Sequence, residues 1–241
     1  MTWIRSAVFN VFFYAATILL LIPGIAICLF ARSRALWLAT VWARTILWGA
    51  RAICGIRWTV EGKGNLPEGA ALIASRHESA FDTFVWLLLV PRCAYVVKAE
   101  LTRIPLLGEL MRLAGMIPVE RKAGAAGLRR LASGVASALA AGRQVVIFPE
   151  GTRMPHEAPV TLHPGIVLLA SRTGFPVLPV ATDSGRYWAR RAFRKLPGDV
   201  RIHIGTPILP NLPKQELMAK LAANLTLGPV DESVYLSTSR V

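Results

Sequence analysis

The N-terminal stretch most restricts what this chain can fold into. No charged residue occurs from Ser6 to Ala31, and Phe9 to Ile22 is almost wholly apolar. A helix over the uncharged stretch would be about 39 Å long, enough to cross a bilayer core of about 30 Å. Arg5 resembles the charged start of a signal peptide. The apolar stretch, however, leads into more apolar sequence without a convincing cleavage site between them. We therefore predict a retained membrane anchor, which Pro23-Gly24 could kink into two arms or a re-entrant hairpin.

A second apolar helix is predicted over residues 35 to 53, where Trp37, Trp42 and Trp48 are interspersed with arginines. Indole and guanidinium groups both find partners at a membrane interface, so this helix suits an interfacial position. A core helix packed on the rest of the protein explains the same pattern, and opposite faces of one helix could satisfy both descriptions. Basic residues flank the first apolar stretch on both sides, so the positive-inside rule does not choose between a span and a hairpin.

The charge balance favours a membrane partner. Of the 241 residues 54% are hydrophobic and 17% charged, and 28 Lys+Arg against 14 Asp+Glu give a net charge of +14. So large a positive excess with so little total charge favours an anionic membrane over nucleic acid, because each basic side chain near such a surface contributes about 1 kcal/mol. Cys28, Cys54 and Cys93 are widely spaced and odd in number, which predicts no disulfide framework and a reducing, cytoplasmic setting.

Beyond the turn-rich segment Glu61–Gly69, short apolar runs alternate with helical patterns, which predicts an α/β fold with its sheet covered by helices on both faces. We predict a membrane anchor and interfacial helix over 1–54, an α/β domain over 55–225 and a loosely held tail over 226–241. The predicted strands are Ala70–Ala74, Ala94–Val97, Met116–Val119, Gln144–Phe148, Val177–Ala181 and Val200–Ile204. The predicted helices are Asp82–Leu89, Leu106–Ala114, Ala125–Ala141, Gly165–Thr173 and Lys214–Asn224.

His77 and Asp82 stand between a predicted strand and a predicted helix, where α/β proteins carry chemistry. On one unbroken helix, residues five apart point about 140° away from each other, so contact requires His77 on the turn and Asp82 inside the helix. A neutral imidazole can take a hydroxyl proton, and a carboxylate on its other nitrogen fixes the tautomer. The alternative is that Asp82 only closes a capping box with Ser79.

A second polar cluster follows the strand at Gln144, in the sequence Phe148-Pro149-Glu150-Gly151-Thr152-Arg153. Proline ends the strand ladder and glycine permits a tight turn, so the Glu, Thr and Arg side chains project from one rigid bend. Such a bend suits the binding of an oxyanion by a forked guanidinium, and an ordinary loop would not require this polar trio.

Two further segments complete the set. Gly115 to Arg121 ends a strand in charged residues, which equally describes a solvated strand end. Val177-Leu178-Pro179-Val180 carries a proline within a strand, which indicates a sheet edge or a wall of the site rather than a catalyst. The remaining histidines, His156, His163 and His203, lack metal-ligand spacing, and we interpret them as structural or surface residues.

Together these blocks resemble the PlsC-type glycerolipid acyltransferase family, which includes the 1-acylglycerol-3-phosphate acyltransferases. His77-x-x-x-x-Asp82 is similar to the first block of that family, Gly115–Arg121 to the second, Phe148–Arg153 to the third and Val177–Val180 to the fourth. The stretch from Lys98, with Ile104-Pro105 and Gly108, also resembles the family, and the resemblance covers about residues 55 to 210.

The resemblance implies a membrane-bound enzyme built on a central mixed sheet flanked by helices, with its catalytic domain over 55–225. It would move a fatty acyl chain from acyl-CoA or acyl carrier protein to the hydroxyl of a lysolipid, with His77 as general base and Asp82 orienting it. Neither a metal nor a cofactor beyond the acyl donor is implied. The residues implied in holding the acceptor, chiefly its phosphate, are Arg153, Glu150, Gly151, Thr152, Arg121 and Lys98.

This sequence departs from the family pattern at three places. Arg76 replaces the asparagine common before the histidine, and Glu120 stands where aspartate is usual. Where the family often has lysine before the glycine at Gly165, this chain has His163-Pro164. That change removes a positive charge that Arg76 or His163 could replace.

The resemblance favours 1-acylglycerol-3-phosphate as the acceptor, which would give phosphatidate in phospholipid biosynthesis, and two alternatives stand beside it. One is an acyltransferase for another lysolipid, such as lyso-ornithine lipid. The other is a non-catalytic binder of anionic lipid that uses the basic run from Arg186 to Lys195. The expected location is the bacterial inner membrane with the catalytic domain on the cytoplasmic side, with membrane lipids and the acyl donor as partners and no nucleic acid.

Overall fold

A computed structural model of the chain describes residues 1–120 and 123–228. Most of the predicted tail, from residue 229 on, lies outside this range. The α-helices are α1 (Thr2–Phe30), α2 (Ala35–Gly49), α3 (Phe81–Leu89), α4 (Leu107–Leu113), α5 (Gly124–Ala140), α6 (Gly165–Thr173), α7 (Ser184–Tyr187) and α8 (Lys214–Asn224). The strands are β1 (Ile56–Glu61), β2 (Ala71–Ser75), β3 (Cys93–Lys98), β4 (Ile117–Val119), β5 (Gln144–Ile147), β6 (Val177–Thr182) and β7 (Gly198–Ile204).

The described strands form one mixed sheet in the order β1-β7-β6-β2-β5-β3-β4. From β6 to β4 every neighbouring pair is parallel, whereas β7 runs antiparallel to β6 and carries β1 parallel to itself. The predicted α/β class with a central mixed sheet and flanking helices is therefore confirmed. In such a sheet the carboxyl ends of the parallel strands share one edge, which is where ligands bind.

Helices cover both faces of the sheet, and β2 shows why its sequence is apolar throughout. Ile73 packs into a core shared with α1, α2 and α3, whereas Leu72 and Ala74 pack into a core shared with α5, α6 and α8. Successive strand residues point to opposite faces, so a strand covered on both sides needs a continuous apolar run rather than an alternating one.

The sheet differs from the sequence predictions at two strands. β1 was not predicted because it is an edge strand that is at least partly buried only at every second position, with charged residues at Arg57 and Glu61. The proline in β6 pointed to an edge or a wall, and the edge interpretation is wrong, since β6 lies between β7 and β2 and is buried along its length. Pro179 is tolerated because it stands where the ladder with β7 ends, and its carbonyl accepts a hydrogen bond from Gly205 N at 2.9 Å.

The N-terminal apolar stretch forms one continuous helix, which runs through Pro23 without a break. The chain reverses afterwards, at the turn Arg32–Arg34, so Pro23-Gly24 does not make the hairpin considered above. α1 has 29 residues, is long and apolar enough to cross a membrane, and leaves most of its apolar window exposed. Trp42 Nε1 donates to Thr17 Oγ1 at 3.0 Å where α2 packs back on α1.

α2 has one face buried in the core and one face exposed. Ala43, Ile46 and Leu47 are buried in the core with α1 and α3, whereas Trp37 is 56% and Trp48 61% exposed. A π-helical turn, Ala50–Cys54, then leads into β1. The predicted domain boundary at residue 54 stays a prediction. α1 and α2 share one hydrophobic core with the sheet.

A seam joins the start of α1 to the segment after α7. Phe9 packs edge-on against Trp188 with ring centroids 5.2 Å apart, and Lys195 N donates to Ser6 Oγ at 2.9 Å. Lys195 is buried, and its ammonium donates to Asn10 Oδ1 at 2.6 Å. α1 is thus fastened to residues of the α/β domain that come more than one hundred and seventy positions later.

Candidate active site

His77 lies on the turn between β2 and α3, and Asp82 lies in the first turn of α3. The His77 ring nitrogen Nδ1 is 3.0 Å from Asp82 Oδ2, and both side chains are buried. An ionised carboxylate only accepts hydrogen bonds, so Nδ1 carries the proton and Nε2 keeps its lone pair. Within the described residues Nε2 has no hydrogen-bond partner, which leaves it available to a substrate hydroxyl.

Both oxygens of Asp82 are occupied. Oδ2 accepts hydrogen bonds from Glu78 N and Ser79 N, each at 2.8 Å, in addition to His77 Nδ1. Oδ1 accepts from Ser184 Oγ at 2.5 Å. The capping alternative and the contact with His77 are therefore compatible, because one carboxylate closes the backbone turn and accepts from the imidazole, while the orienting role stays a prediction.

The His77 ring is held from its face by Phe148. The two rings stack with centroids 4.0 Å apart and an interplanar angle of 19°, and Tyr95 stacks behind Phe148 at 6.1 Å. With the ring plane set by Phe148 and its Nδ1 edge set by Asp82, the direction of Nε2 is fixed before any substrate arrives.

The loop after β5 is fastened to the His77 turn through the backbone. His77 N donates to Glu150 Oε2 at 2.9 Å, and Met154 N donates to His77 O at 2.7 Å. Gly151 supplies the positive φ of 68° that the tight turn requires, and its N–H donates to Phe148 O at 2.9 Å. Burial raises the pKa of Glu150, and the carboxylates of Glu78 and Asp82 add to the effect.

Arg153 is the cation that this loop presents beside His77. Its side chain is partly buried, and its guanidinium makes no hydrogen bond to the residues that the structure describes; only its backbone carbonyl is engaged, by Arg190 Nη1 at 3.0 Å. Burial lowers the pKa of Arg153, although an arginine keeps its charge at any physiological pH. Thr152 lies beside it and is partly buried. Arg153 therefore has unused donors for an anionic group, on a loop whose next residue, Met154, is hydrogen-bonded to His77 O.

Lys98, one of the predicted site residues, lies apart from this cluster. Lys98 is exposed at the end of β3, and β5 separates that strand from β2, a lateral offset of roughly 10 Å. Arg121 lies outside the described residues. Glu120, one residue earlier, forms an exposed ion pair with Arg130 at 2.6 Å.

The structure also answers whether Arg76 or His163 replaces the absent lysine charge. Arg76 is buried, and its guanidinium donates to Glu78 Oε1 and to Ala158 O, each at 2.7 Å. Arg76 is therefore committed to the protein interior. His163 is exposed, and its backbone N–H donates to Pro149 O at 2.8 Å while its ring makes no hydrogen bond or ion pair with a described residue.

Sequence reasoning missed the contributions of Glu78, His156 and the corner between β6 and α7. Glu78 Oε2 accepts from Gly185 N at 3.0 Å and from His156 Nδ1 at 3.2 Å. Burial raises the pKa of Glu78, and the Arg76 guanidinium opposes that rise. The sequence feature that could have indicated this corner is the polar pair Asp183-Ser184, followed by Gly185, directly after a buried strand. The other blocks were recognised by the same arrangement.

Comparison with known proteins agrees with this geometry. The family model for acyltransferases matches residues 57–183. The chain belongs to the acyltransferase family. The resemblance drawn from the four sequence blocks, and the prediction of an O-acyltransferase, are thereby confirmed.

Relatives of this acyltransferase carry a more specific name. A 1-acyl-sn-glycerol-3-phosphate acyltransferase of Pseudomonas aeruginosa is 34% identical over 174 residues, covering 72% of this chain and 68% of that protein. An enzyme of the same name from Limnanthes douglasii is 30% identical, covering 65% of this chain and 56% of its own length. The alpha enzyme of Mus musculus is 27% identical, covering 68% and 59%.

A solved structure shares the fold of this acyltransferase over its whole length. It is the 1-acyl-sn-glycerophosphate (LPA) acyltransferase PlsC of Thermotoga maritima, with a TM-score of 0.75, 22% identity, and coverage of 100% of this chain and 99% of that one. At 22% identity this structural similarity establishes the fold alone.

Proposed function

We propose that this acyltransferase moves a fatty acyl chain from acyl-CoA or acyl carrier protein to the free hydroxyl of 1-acylglycerol-3-phosphate, giving phosphatidate. The observation that carries the proposal is the contact of 3.0 Å between His77 Nδ1 and Asp82 Oδ2, beside a loop that presents Arg153. The names of the relatives from Pseudomonas, Limnanthes and mouse support the choice of acceptor.

The proposed reaction uses His77 twice. Nε2 takes the proton of the acceptor hydroxyl as its oxygen attacks the thioester carbonyl, and Asp82 stabilises the imidazolium that forms. The carbon–sulfur bond then breaks, and the imidazolium returns its proton to the leaving thiolate. The ester bond is formed, the thioester bond is broken, and the enzyme regains its starting protonation.

Arg153 supplies the affinity for a phosphate-bearing acceptor in this proposal. Its unused guanidinium donors match two phosphate oxygens in a forked arrangement, and each such charge-assisted bond contributes about 1.5–3 kcal/mol. We expect no metal and no cofactor beyond the acyl donor, because a base, an orienting carboxylate and a phosphate-binding cation suffice for direct acyl transfer.

We further propose that the protein works at the cytoplasmic face of a bacterial inner membrane. Two features support a membrane-bound state: the exposed apolar length of α1, and the basic run from Arg186 to Lys195 that lies along its start. In that run Phe193 stacks on Trp3 at 5.6 Å, and both rings are exposed, as is usual for interfacial anchors. The neighbouring exposed arginines would meet anionic headgroups.

A second acceptor class has one observation in its favour. The lysine that relatives often carry before Gly165 is absent here, and neither the buried Arg76 nor the exposed His163 ring is positioned as a substitute. A lysolipid without phosphate, such as lyso-ornithine lipid, would need fewer cations at the site.

The test is acyl transfer by the purified protein in mixed micelles. Acyl-CoA and acyl carrier protein thioester are offered with lysophosphatidate or lyso-ornithine lipid, thiol release is followed by a thiol reagent, and products are identified by mass spectrometry. We expect phosphatidate from wild type and none from His77→Ala, with membrane association unchanged. Full transfer by His77→Ala would overturn the proposed chemistry, and lyso-ornithine as the better acceptor would overturn the proposed substrate.

A further inference from the structure

We propose that Ser184 is a positioning residue of the catalytic pair: its hydroxyl, by donating to Asp82 Oδ1, fixes the carboxylate against which His77 is aligned. The inference rests on the proposed function, since it assigns Ser184 a part in the same reaction. Ser184 comes 102 positions after Asp82 and one residue beyond the segment that the family model matches.

Asp82 shows why a partner on Oδ1 is needed. Its Oδ2 is held by donors of its own turn, namely the backbone of Glu78 and Ser79 together with His77. Among the described residues, Oδ1 has one hydrogen-bond donor, Ser184 Oγ at 2.5 Å. The terminal torsion of an aspartate is soft, so a carboxylate anchored at one oxygen can still rotate about that anchor. A donor on the second oxygen removes this rotation and holds the plane in which the Nδ1 bond lies.

Ser184 is itself held rigidly by the corner after β6. Its backbone N–H donates to Thr182 Oγ1 at 3.2 Å. The preceding Asp183 is buried and accepts from Arg201 N at 2.7 Å and Arg201 Nε at 3.0 Å, which ties the corner to β7. Ser184 is fully buried. The hydroxyl is therefore presented to Asp82 by the sheet rather than by a mobile loop.

The neighbouring Gly185 shows that the corner is built to approach the catalytic turn closely. Its N–H donates to Glu78 Oε2 at 3.0 Å. A Cβ at this position would lie 2.8 Å from Glu78 Cβ, so a side chain larger than hydrogen would push the corner away. Ser184 and Gly185 together contact two residues of the His77 turn, and this places the hydroxyl against Asp82.

The experiment compares Ser184→Ala with Ser6→Ala, which removes an equally buried serine hydroxyl at the α1 seam, far along the chain from the catalytic turn. Each substitution is made in the wild type and in Asp82→Ala, which removes the acceptor of the Ser184 hydroxyl, and kcat and KM are measured by thiol release. We expect Ser184→Ala to lower kcat about tenfold with KM within twofold, since a lost donor to a charged acceptor misaligns the pair. Ser6→Ala should stay within twofold of wild type.

The Asp82→Ala background, in which Ser184 Oγ has no carboxylate to hold, separates positioning from general loosening. If Ser184 acts through the carboxylate, Ser184→Ala lowers kcat by less than about threefold in that background. An equal factor in both backgrounds, or a kcat for Ser184→Ala within twofold of wild type, would overturn the proposal.

A spectroscopic readout keeps this inference separate from the proposed function. The His77 imidazole NMR signals, assigned by their loss in His77→Ala, should shift in Ser184→Ala and remain in place in Ser6→Ala. Unmoved signals in Ser184→Ala overturn the positioning role even if the enzyme proves to use another acceptor. Absence of transfer by the wild type together with a specific His77 shift would instead reject the proposed function and retain the contact.

Discussion

Replacing Asp82 with asparagine tests whether the carboxylate acts through its charge or only through its shape. Oδ2 faces three N–H donors, from His77, Glu78 and Ser79, so the amide oxygen must take that place. The amide nitrogen then faces Ser184 Oγ, which can accept as well as donate. All four hydrogen bonds persist, His77 keeps its proton on Nδ1, and the negative charge alone is lost.

The expected magnitude follows from the distance. The imidazolium that forms during transfer and the Asp82 carboxylate would have charge centres about 4 Å apart, which at an effective dielectric constant of about 20 is worth about 4 kcal/mol. Asp82 is 2% exposed, so solvent screens this attraction little. Because each 1.4 kcal/mol is about a factor of ten in rate, kcat should fall about a thousandfold.

The measurement is kcat from thiol release at saturating acceptor, with thermal unfolding recorded on the same samples. Asp82→Asn should unfold within a few degrees of wild type, whereas Asp82→Ala should unfold earlier, because it leaves Glu78 N and Ser79 N buried without acceptors. His77→Ala sets the floor of the rate assay. A kcat for a well-folded Asp82→Asn within tenfold of wild type would refute the electrostatic argument.

Three further outcomes are expected. Arg153→Ala should raise KM for lysophosphatidate by about tenfold to a hundredfold and leave KM for a phosphate-free lysolipid nearly unchanged, and equal changes for both acceptors would remove Arg153 from phosphate binding. Glu78→Ala should lower the free energy of unfolding, measured by urea titration, by about 3–5 kcal/mol, because the buried Arg76 guanidinium loses its ion-pair partner at 2.7 Å. The double variant Arg76→Met/Glu78→Leu, which leaves no buried charge unpaired, should regain much of that free energy. A double variant no more stable than Glu78→Ala would contradict this. Burial raises the pKa of Glu150, so the wild type loses stability as pH rises from about 4.3, the ordinary glutamate pKa, through the raised value. Glu150→Gln does not titrate, so its free energy of unfolding relative to wild type should be more favourable at pH 8 than at pH 4. A difference in free energy of unfolding that does not change with pH would contradict this.

Local spacing was enough to predict the geometry of the catalytic turn. A spacing of five positions from His77 to Asp82 required one residue on the turn and the other in the helix, and that is where they lie. Helices α6 and α8 have the predicted bounds, because their apolar periodicity is bounded by glycine or proline. The roles of these site residues remain predictions.

What the sequence could not provide are the partners that the fold brings from far along the chain. Nothing near Asp82 in the sequence indicates Ser184 as its partner, and nothing near Arg76 indicates the Ala158 carbonyl that accepts from its guanidinium. The family resemblance grouped Lys98 with Arg153, but in the sheet β5 lies between the strand that ends at Lys98 and the strand that leads to His77. Strand order is set by long-range packing, which local patterns do not encode.

The seam between α1 and the segment around Lys195 has a consequence for how the protein is made. Phe9 and Asn10 leave the ribosome early, whereas Trp188 and Lys195, which receive them, are still to be synthesised. At about 5–20 residues per second, roughly ten to forty seconds pass before the seam can close. Throughout that interval the apolar surface of α1 lacks these partners. In the membrane-bound state proposed above, the bilayer would cover that surface, so α1 would insert first and the rest of the protein would complete its fold against a helix that is already anchored.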